Sequence, residues 1–242
     1  MALVLQRAIA LLRIFSAETP EIGLSEGSRL AGESKATVYR LLTTLCESGL
    51  VEWVPARKTY RLGPAVLELA RVREATVPLV SVVEPVLEEM QEQTGETCHF
   101  SRFNGSAMAV VASVESRRVN RITMVGVDAL PLCTTAAGQV FLAFADPRIV
   151  ADALARTGIA GRDLELARQR AGQVRDQGYA TVDHFEDEQI FGLACPVLGR
   201  NGRFLGALAV TAPPSRNTEQ HFRAILGSLH EGCATLTTCL PD

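Results

Sequence analysis

Residues 34–62 read Ser-Lys-Ala-Thr-Val-Tyr-Arg-Leu-Leu-Thr-Thr-Leu-Cys-Glu-Ser-Gly-Leu-Val-Glu-Trp-Val-Pro-Ala-Arg-Lys-Thr-Tyr-Arg-Leu, and they set the architecture of the N-terminal part of the chain. Ser34 is a good helix N-cap, because its hydroxyl can accept a hydrogen bond from an amide of the next turn. Apolar residues follow at the helical spacing i, i+3, i+4 and i+7, at Val38, Leu41, Leu42 and Leu45. Gly49 can adopt the left-handed conformation that ends such a helix. The pattern therefore predicts one amphipathic helix over residues 35–48.

Two short strands are predicted after this helix and two helices before it. Leu50–Val54 and Thr59–Leu62 are rich in β-branched and aromatic residues, and Pro55–Lys58 between them predicts a turn. Upstream, apolar residues at helical spacing predict a helix over residues 3–16, and Ser25–Ala31 predicts a shorter one after a break. The order helix, helix, turn, helix, hairpin is typical of a winged helix-turn-helix.

The polar face of the helix over residues 35–48 has features that suit the major groove of DNA. Helical periodicity places Ala36, Arg40 and Thr43 opposite the apolar residues, where small side chains allow close approach and Arg can bind guanine or phosphate. An ordinary solvated face is the alternative reading. A basic pair at the hairpin tip favours DNA, since it can meet the backbone or the minor groove. The predicted DNA contacts are Lys35, Ala36, Thr37, Tyr39, Arg40, Thr43, Arg57 and Lys58.

The composition of the chain limits its class. Of 242 residues 47% are apolar, and 24 Lys+Arg stand against 27 Asp+Glu, for a net charge of −3. These values exclude a mainly disordered protein and a uniformly basic nucleic-acid coat. The charge is uneven, however, because residues 1–63 carry 8 Lys+Arg against 6 Asp+Glu and contain both lysines of the chain, Lys35 and Lys58. Local positive charge of this kind allows an acidic protein to bind DNA.

The cysteines predict neither a metal site nor a redox site. The six stand at positions 46, 98, 133, 195, 233 and 239, with no CxxC pair and no accompanying His cluster. We therefore expect no metal and no cofactor. We also find no signal peptide and no apolar run long enough to span a membrane. A reducing cytoplasm with scattered buried thiols is the expected setting, without a membrane partner.

Strands and helices are grouped in the remaining three quarters of the chain. Helices are predicted over residues 64–76, 80–94, 136–145, 147–157, 163–177 and 218–238, and strands over residues 97–103, 107–114, 121–127, 179–182, 191–198 and 204–211. Strands that are grouped and then flanked by helices predict an antiparallel α+β domain. The expected division is a DNA-binding domain over residues 1–63, a linker helix over residues 64–78 and a second domain over residues 79–242.

One predicted helix start in the second domain is a candidate ligand site. Thr134-Thr135-Ala136-Ala137-Gly138 opens a helix whose free amides and partial positive charge suit a carboxylate. Plain N-capping by a threonine explains the same residues equally well. The polar run 183–188 is either a solvated acidic loop, an effector contact or a metal site, and its single His184 disfavours the metal. A strand histidine such as His99 is more often a satisfied core residue than a ligand.

The sequence resembles the IclR-type (isocitrate-lyase-regulator-like) transcriptional regulators. The resemblance lies in an ordered set of motifs over nearly the whole chain, namely Ser34–Leu42, Gly49–Val51, Tyr60–Gly63, Thr94–Thr97, Pro131 with Ala137–Ala143, Gly178–Ala180, Ala194–Val197 and Gly206–Pro213. It implies a winged helix-turn-helix followed by an effector-binding domain of GAF-like fold. It also implies homodimers, or dimers of dimers, on a palindromic operator in double-stranded DNA near a catabolic gene cluster.

The resemblance further implies a pocket for a small-molecule effector. The family holds small oxoacids with small residues at the pocket helix, an acidic loop residue and polar residues on the last two strands, which correspond to Ala136, Ala137, Asp183, Gly192, Ala209 and Thr211. Gly192 and Ala209 replace the Cys and Ser that the family often has, and Gln139 replaces its Lys. Losing a thiol and a hydroxyl removes polar partners and enlarges the expected cavity.

Apolar walls for this expected cavity are available in the sequence. The candidates are Phe100, Phe103, Met108, Met124 and Phe191, with a hydroxyl from Thr135 or Thr211. A larger, partly apolar effector such as an aromatic acid is therefore expected, rather than an oxoacid of two or three carbons.

Two other classes of function are compatible with parts of the sequence. An enzyme could use Cys195 or Cys98 as nucleophile with His184 or His99 as base. The sequence has no G-x-S-x-G elbow, however, and Cys195 lies in an apolar run where a thiol is usually inert. A protein-interaction module that uses the winged helix for docking is the other alternative. A transcriptional regulator, and not an enzyme, is the function that the sequence favours.

Overall fold

Four apolar side chains on one helix face organise the N-terminal unit. A computed structural model describes residues 2–16, 19–76, 78–124, 126–127, 129–183 and 190–240, and the chain divides into units of residues 1–77 and 78–242. The first unit contains helices α1 (Ala2–Leu12), α2 (Leu24–Ala31) and α3 (Lys35–Glu47). As predicted, the buried residues of α3 are Val38, Leu41, Leu42 and Leu45. They pack with Leu11 and Ile22 in one hydrophobic cluster, which joins the helices.

A small antiparallel sheet completes this unit. Its strands β1 (Glu21–Ile22), β2 (Val51–Val54) and β3 (Thr59–Leu62) lie in the order β1-β3-β2. The sequence did not predict β1, whose two residues lie in the break between the first two helices and pair with β3. Gly63 follows β3, and a Cβ atom there would overlap the carbonyl oxygen of Gly49. A glycine at position 63 therefore allows the hairpin to end against the end of α3.

Helix α4 (Ala65–Thr76) follows the hairpin and leaves apolar side chains exposed. None of its described residues is buried. Leu67, Leu69 and Val72 are 61%, 63% and 63% exposed. Several exposed large apolar side chains on one helix are typical of an interaction surface.

The second unit is built on an antiparallel sheet of six strands in the described part of the chain. The strands are β4 (Thr97–Phe103), β5 (Met108–Val114), β6 (Ala129–Leu130), β7 (Ala180–Val182), β8 (Phe191–Leu198) and β9 (Phe204–Ala212). Their order is β6-β5-β4-β9-β8-β7, with β4, β9 and β8 in the middle. This arrangement confirms the predicted antiparallel α+β class.

Helices cover both faces of the sheet. Helices α5 (Leu79–Thr94) and α9 (Glu219–Cys239) pack on one face, against side chains such as Phe100, Phe191 and Leu208. Helix α6 (Ala136–Phe144) packs on the other face with α8 (Gly161–Gln177), and α7 (Pro147–Thr157) lies between them in the chain. The sheet residues under α6 are small, including Ala194 and Ala209, so the helix lies close to the strands. None of the described helices is long and apolar enough to cross a membrane.

The strand predicted over residues 121–127 is wrong. The described residues of this range form a loop, and the short β6 pairs with β5 instead. Glu115 explains the loop, because its carboxylate accepts hydrogen bonds from Arg121 Nε at 3.0 Å, from the Thr123 hydroxyl and from Met124 N at 3.2 Å. These hydrogen bonds, of which the Thr123 bond has the largest effect, lower the pKa of the Glu115 carboxyl. These polar groups of the loop therefore form hydrogen bonds although no neighbouring strand pairs with it.

Candidate functional site

The exposed face of α3 is positioned by its cap and by its buried side. Ser34 Oγ accepts a hydrogen bond from Thr37 N at 3.2 Å, as the capping prediction requires. Because the apolar side chains face the core, the opposite face is turned outward. The predicted contacts on it are exposed, except for the half-buried Thr37: Lys35, Ala36, Tyr39, Arg40 and Thr43.

Three of the predicted contacts are cations that are available for phosphate or base contacts, two on α3 and one on the turn between β2 and β3. Within the described residues, no ion pair engages Lys35, Arg40 or Lys58. The hydroxyl of Thr43 donates to the Tyr39 carbonyl oxygen at 2.9 Å, so it is already engaged as a donor. Arg40 is therefore the side chain of the exposed face with the greatest capacity to donate to a base edge.

The wing is the hairpin formed by β2, β3 and the turn between them, and its two basic turn residues differ in their surroundings. Lys58 has a φ of +54°, in the left-handed region that side chains rarely adopt. Arg57 Nη2 lies 2.5 Å from Glu21 Oε1, and the Thr59 hydroxyl donates to the other Glu21 oxygen at 2.6 Å. Glu21 thus ties the turn to β1 and offsets one of the two positive charges. From the sequence alone Arg57 and Lys58 are equivalent, because Glu21, which pairs with Arg57, lies 36 residues away along the chain.

The second unit contains a cavity of about 60 Å³ between the start of α6 and the sheet. Most of its lining side chains are apolar. Of the predicted effector residues, it brings together Thr135, Ala136, Ala137, Gly192, Ala209 and Thr211. These residues come from α6 and from the two neighbouring strands β8 and β9, so the fold joins distant parts of the sequence into one small site.

Two predicted effector residues lie elsewhere. Asp183 lines a separate polar groove with Arg170 and Gln177. Phe191 precedes Gly192 on β8, and because alternate strand residues face opposite sides, its ring packs against Phe222 of α9 at a centroid distance of 6.3 Å. Phe191 therefore does not line the cavity.

The other predicted walls divide in the same way. Met124 lines the cavity, whereas Phe100 belongs to the core under α5 and α9, and Phe103 and Met108 pack in the core of α6. The acidic run after Asp183, with His184, lies outside the described residues.

Thr135 caps α6, and its hydroxyl is engaged both as a donor and as an acceptor. It donates to the Pro131 carbonyl oxygen at 2.7 Å and accepts from Gly138 N at 3.0 Å. Plain N-capping therefore explains this residue. The amides of Ala136 and Ala137 precede the first intrahelical hydrogen bond, so they have no acceptor within the helix. They are the polar groups that this end of the cavity offers to a ligand.

Gly192 does not enlarge the cavity as the sequence suggested. A Cβ atom at this position would lie 2.9 Å from Val182 Cγ2 and 3.8 Å from Ala136 Cβ. Val182 therefore already occupies the space next to the glycine, and a cysteine there would displace it.

His99 lines the cavity, and the sequence did not identify it as a ligand. It pairs in register with Ala209 on β9, is 3% exposed, and its Nδ1 has no hydrogen-bond partner in the described structure. Burial lowers the pKa of its imidazole from 6.5 to about 4, so the ring is neutral at pH 7. Strand alternation was the signal that could have found it, since Cys98 and Phe100 face the opposite core.

The proposed thiol nucleophiles lie on the wrong side of the sheet. Cys98 and Cys195 belong to the core under α5 and α9, whereas His99 faces the cavity. Burial raises the pKa of each thiol to about 12, so both are uncharged and unreactive at pH 7.

Two family models match the chain. The IclR helix-turn-helix domain matches residues 4–55, and the domain described as bacterial transcriptional regulator IclR C-terminal matches residues 74–237. These matched families are transcriptional regulators and not enzymes.

Individual relatives agree with the family models. An IclR transcriptional regulator from Silicibacter sp. TM1040 is 39% identical, with a TM-score of 0.87 over 98% of this chain and 95% of that one. The regulator XynR of Escherichia coli (strain K12) is 27% identical over 87% of this chain and 86% of its own length. An IclR homolog from Microbacterium hydrocarbonoxydans, solved with 4-hydroxybenzoate, shares the fold at 19% identity, with a TM-score of 0.73 over 97% of this chain and 98% of that one. This chain therefore belongs to the IclR family of bacterial transcriptional regulators, with a DNA-binding helix-turn-helix at its N-terminal end.

Proposed function

We propose that the protein regulates a catabolic operon in response to a small, carboxylate-bearing and partly apolar metabolite. The observation that carries this proposal is the cavity of the second unit, which combines apolar walls with the unpaired first amides of α6. Such a site binds and orients a small acid without supplying a nucleophile. As a DNA-binding regulator, the protein is expected to act in the cytoplasm.

The proposed operator contacts lie on α3 and on the wing. The exposed face of α3 enters the major groove, and the turn after β2 meets the flanking backbone. The residues proposed to carry these contacts are Lys35, Ala36, Thr37, Tyr39, Arg40, Thr43, Arg57 and Lys58. A gel-shift titration against a fragment of the protein's own promoter, at several salt concentrations, tests this assignment. Tighter binding to that fragment than to an unrelated fragment of equal length supports it, and equal binding to both contradicts it.

The proposed effector is an acid with an apolar body. Its carboxylate accepts hydrogen bonds from the amides of Ala136 and Ala137, where the helix dipole favours negative charge. Its hydrocarbon part contacts walls such as Val127, Leu130 and Ile190. The relative solved with 4-hydroxybenzoate supports this class, because the same fold there takes an aromatic acid. The cavity volume of about 60 Å³ favours a compact acid.

Isothermal titration calorimetry of the full chain tests the effector class. The probes are glyoxylate, pyruvate, benzoate and 4-hydroxybenzoate. We expect measurable binding of at least one aromatic acid and weaker binding of the two oxoacids. Tight binding of glyoxylate or pyruvate, with no heat from either aromatic acid, would show that the apolar walls do not select the effector.

The protein is proposed to act as a homodimer, or as a dimer of dimers, on a palindromic operator. The support is a set of exposed large apolar side chains on two helices of the first unit, namely Leu67, Leu69 and Val72 of α4 and Leu3, Val4 and Leu5 of α1. A closed two-fold pairing would cover these side chains and space two recognition helices for two half-sites. In this scheme residues 1–63 bind DNA, residues 64–78 link the units and residues 79–242 sense the effector.

A further inference from the structure

We propose that His99 recognises the effector within the cavity, and that the effector carries a hydroxyl group, in addition to its carboxylate, that hydrogen-bonds to this ring. The inference rests on the proposed function, because it assumes that the cavity takes a small organic acid. It adds a specificity-determining residue and a second functional group on the ligand.

The position of His99 makes it part of the cavity wall. It lies in the middle of β4, paired with Ala209, and it lines the same space as Ala136 and Thr211. Its side chain is almost completely excluded from solvent, at 3% exposure. Water therefore does not replace a missing partner at its ring from the outside.

Among the described lining side chains, His99 is the one with a buried polar atom that has no hydrogen-bond partner. Of the other polar side chains that line the cavity, Thr135 is engaged as a helix cap, Thr123 donates to Glu115, and the Thr211 hydroxyl lies 3.5 Å from the Thr97 carbonyl oxygen. Nδ1 of His99 has no partner within the described residues. Because buried polar groups are nearly always hydrogen-bonded, an unpartnered ring nitrogen on a side chain that lines a cavity points to a partner supplied by a ligand.

The charge state of the ring selects the kind of group. Burial favours the neutral imidazole, which has one N–H and one bare nitrogen. A hydroxyl can accept from the N–H form or donate to the bare nitrogen, so it suits either tautomer. A second carboxylate can only accept, and its charge would be buried against a neutral ring. With the first carboxylate at the α6 amides, the cavity therefore selects a hydroxy acid over a dicarboxylic acid.

Matched pairs of acids test the inference by isothermal titration calorimetry. The probes are benzoate with 3-hydroxybenzoate and 4-hydroxybenzoate, and butanoate with 3-hydroxybutanoate, each against the full chain. We expect at least one hydroxylated member to bind about tenfold more tightly than its parent, because the parent leaves Nδ1 unpaired. Equal or tighter binding of the parent in both series overturns the inference alone. Binding of no acid overturns the proposed effector class, and the inference with it.

Two variants connect the preference to the ring. His99→Leu removes both nitrogens at similar volume and should abolish the preference for the hydroxylated acid. His99→Asn keeps a polar atom near the Nδ1 position and should retain part of it. Thermal unfolding and operator affinity confirm that each variant is folded. A hydroxyl preference that persists unchanged in His99→Leu would overturn the inference, and if that variant does not fold, the comparison of the acid pairs on the unmodified protein still decides.

Discussion

Replacing His99 by leucine should change how the stability of the second unit depends on pH. In the folded protein the imidazole pKa is lowered from 6.5 to about 4, with burial as the cause. Between these two pH values the unfolded chain binds a proton that the folded chain does not. The free energy of unfolding of the wild-type protein therefore falls as the pH falls from 6.5 towards 4. The leucine variant lacks this contribution.

The size of the effect follows from the two pKa values. Each pKa unit corresponds to about 1.4 kcal/mol, so the shift from 6.5 to about 4 corresponds to about 3 kcal/mol at the acid end. The maximum slope is about 1.4 kcal/mol per pH unit. Carboxylates also titrate in this range, but they are the same in both proteins, so their contribution cancels in the difference between wild type and His99→Leu.

Urea unfolding followed by far-UV circular dichroism at several pH values measures this difference. The chain's single tryptophan, Trp53, lies on β2 of the first unit, so its fluorescence reports that unit rather than the one containing His99. His230→Gln, at an exposed position of α9, is the control for replacing a histidine that does not line the cavity. If wild type and His99→Leu lose stability in parallel between pH 6.5 and 4.5, then His99 is not a buried neutral imidazole.

Five other substitutions test the two units separately. Arg40→Ala should weaken operator binding by about 1–3 kcal/mol in a gel-shift titration, and unchanged affinity would mean that α3 is not the recognition helix. Lys58→Ala should weaken binding to all DNA sequences and lower the dependence of log affinity on log salt concentration by about 1. Arg57→Ala should have a smaller effect on both, because Glu21 already neutralises Arg57. Equal effects of the two variants would contradict that pairing. Leu67→Glu should dissociate the proposed oligomer at micromolar concentration in analytical ultracentrifugation, whereas a wild-type monomer would refute the proposed α4 contact. Gly192→Cys should cost about 1–3 kcal/mol of effector affinity by overpacking against Val182, with operator affinity retained, and undiminished effector binding would place the ligand elsewhere.

Local signals in the sequence predicted most elements of the fold. The helix over Pro147–Thr157 and the strands over Thr59–Leu62 and Phe191–Leu198 have the bounds that the sequence suggested. The strand prediction over residues 121–127 was wrong because the composition of this range is strand-like, whereas its conformation depends on groups that are distant in the sequence. Glu115 and the Thr97 hydroxyl bind its backbone and side chains. Strand propensity is decided by such neighbours, which a single sequence does not reveal.

The candidate site could be predicted only where its residues carry a local signal. The helix start at Thr135 is a local signal, so the sequence located the polar end of the cavity. Phe191 and Gly192 are adjacent on one strand, and because the Phe191 side chain faces the opposite core, Gly192 lines the cavity and Phe191 does not. The partnership of Arg57 with Glu21 and the missing partner of His99 are properties of the folded chain. A sequence shows that a histidine lies on a strand, but not whether its nitrogens are satisfied.

The arrangement of thiols and imidazole explains why the cavity suits a sensor. A hydrolytic or transferase site needs a nucleophile within hydrogen-bond reach of its base. Here the base faces the cavity, while Cys98 and Cys195 lie in the core on the other face of the sheet with raised pKa values. The lining threonine hydroxyls that hold α6 and the loop at residues 121–124 are engaged in structural hydrogen bonds. A ligand in this cavity therefore meets groups that can bind and orient it and, among the described lining residues, no thiol placed to attack it, which fits the reversible binding that the proposed sensing of a metabolite requires.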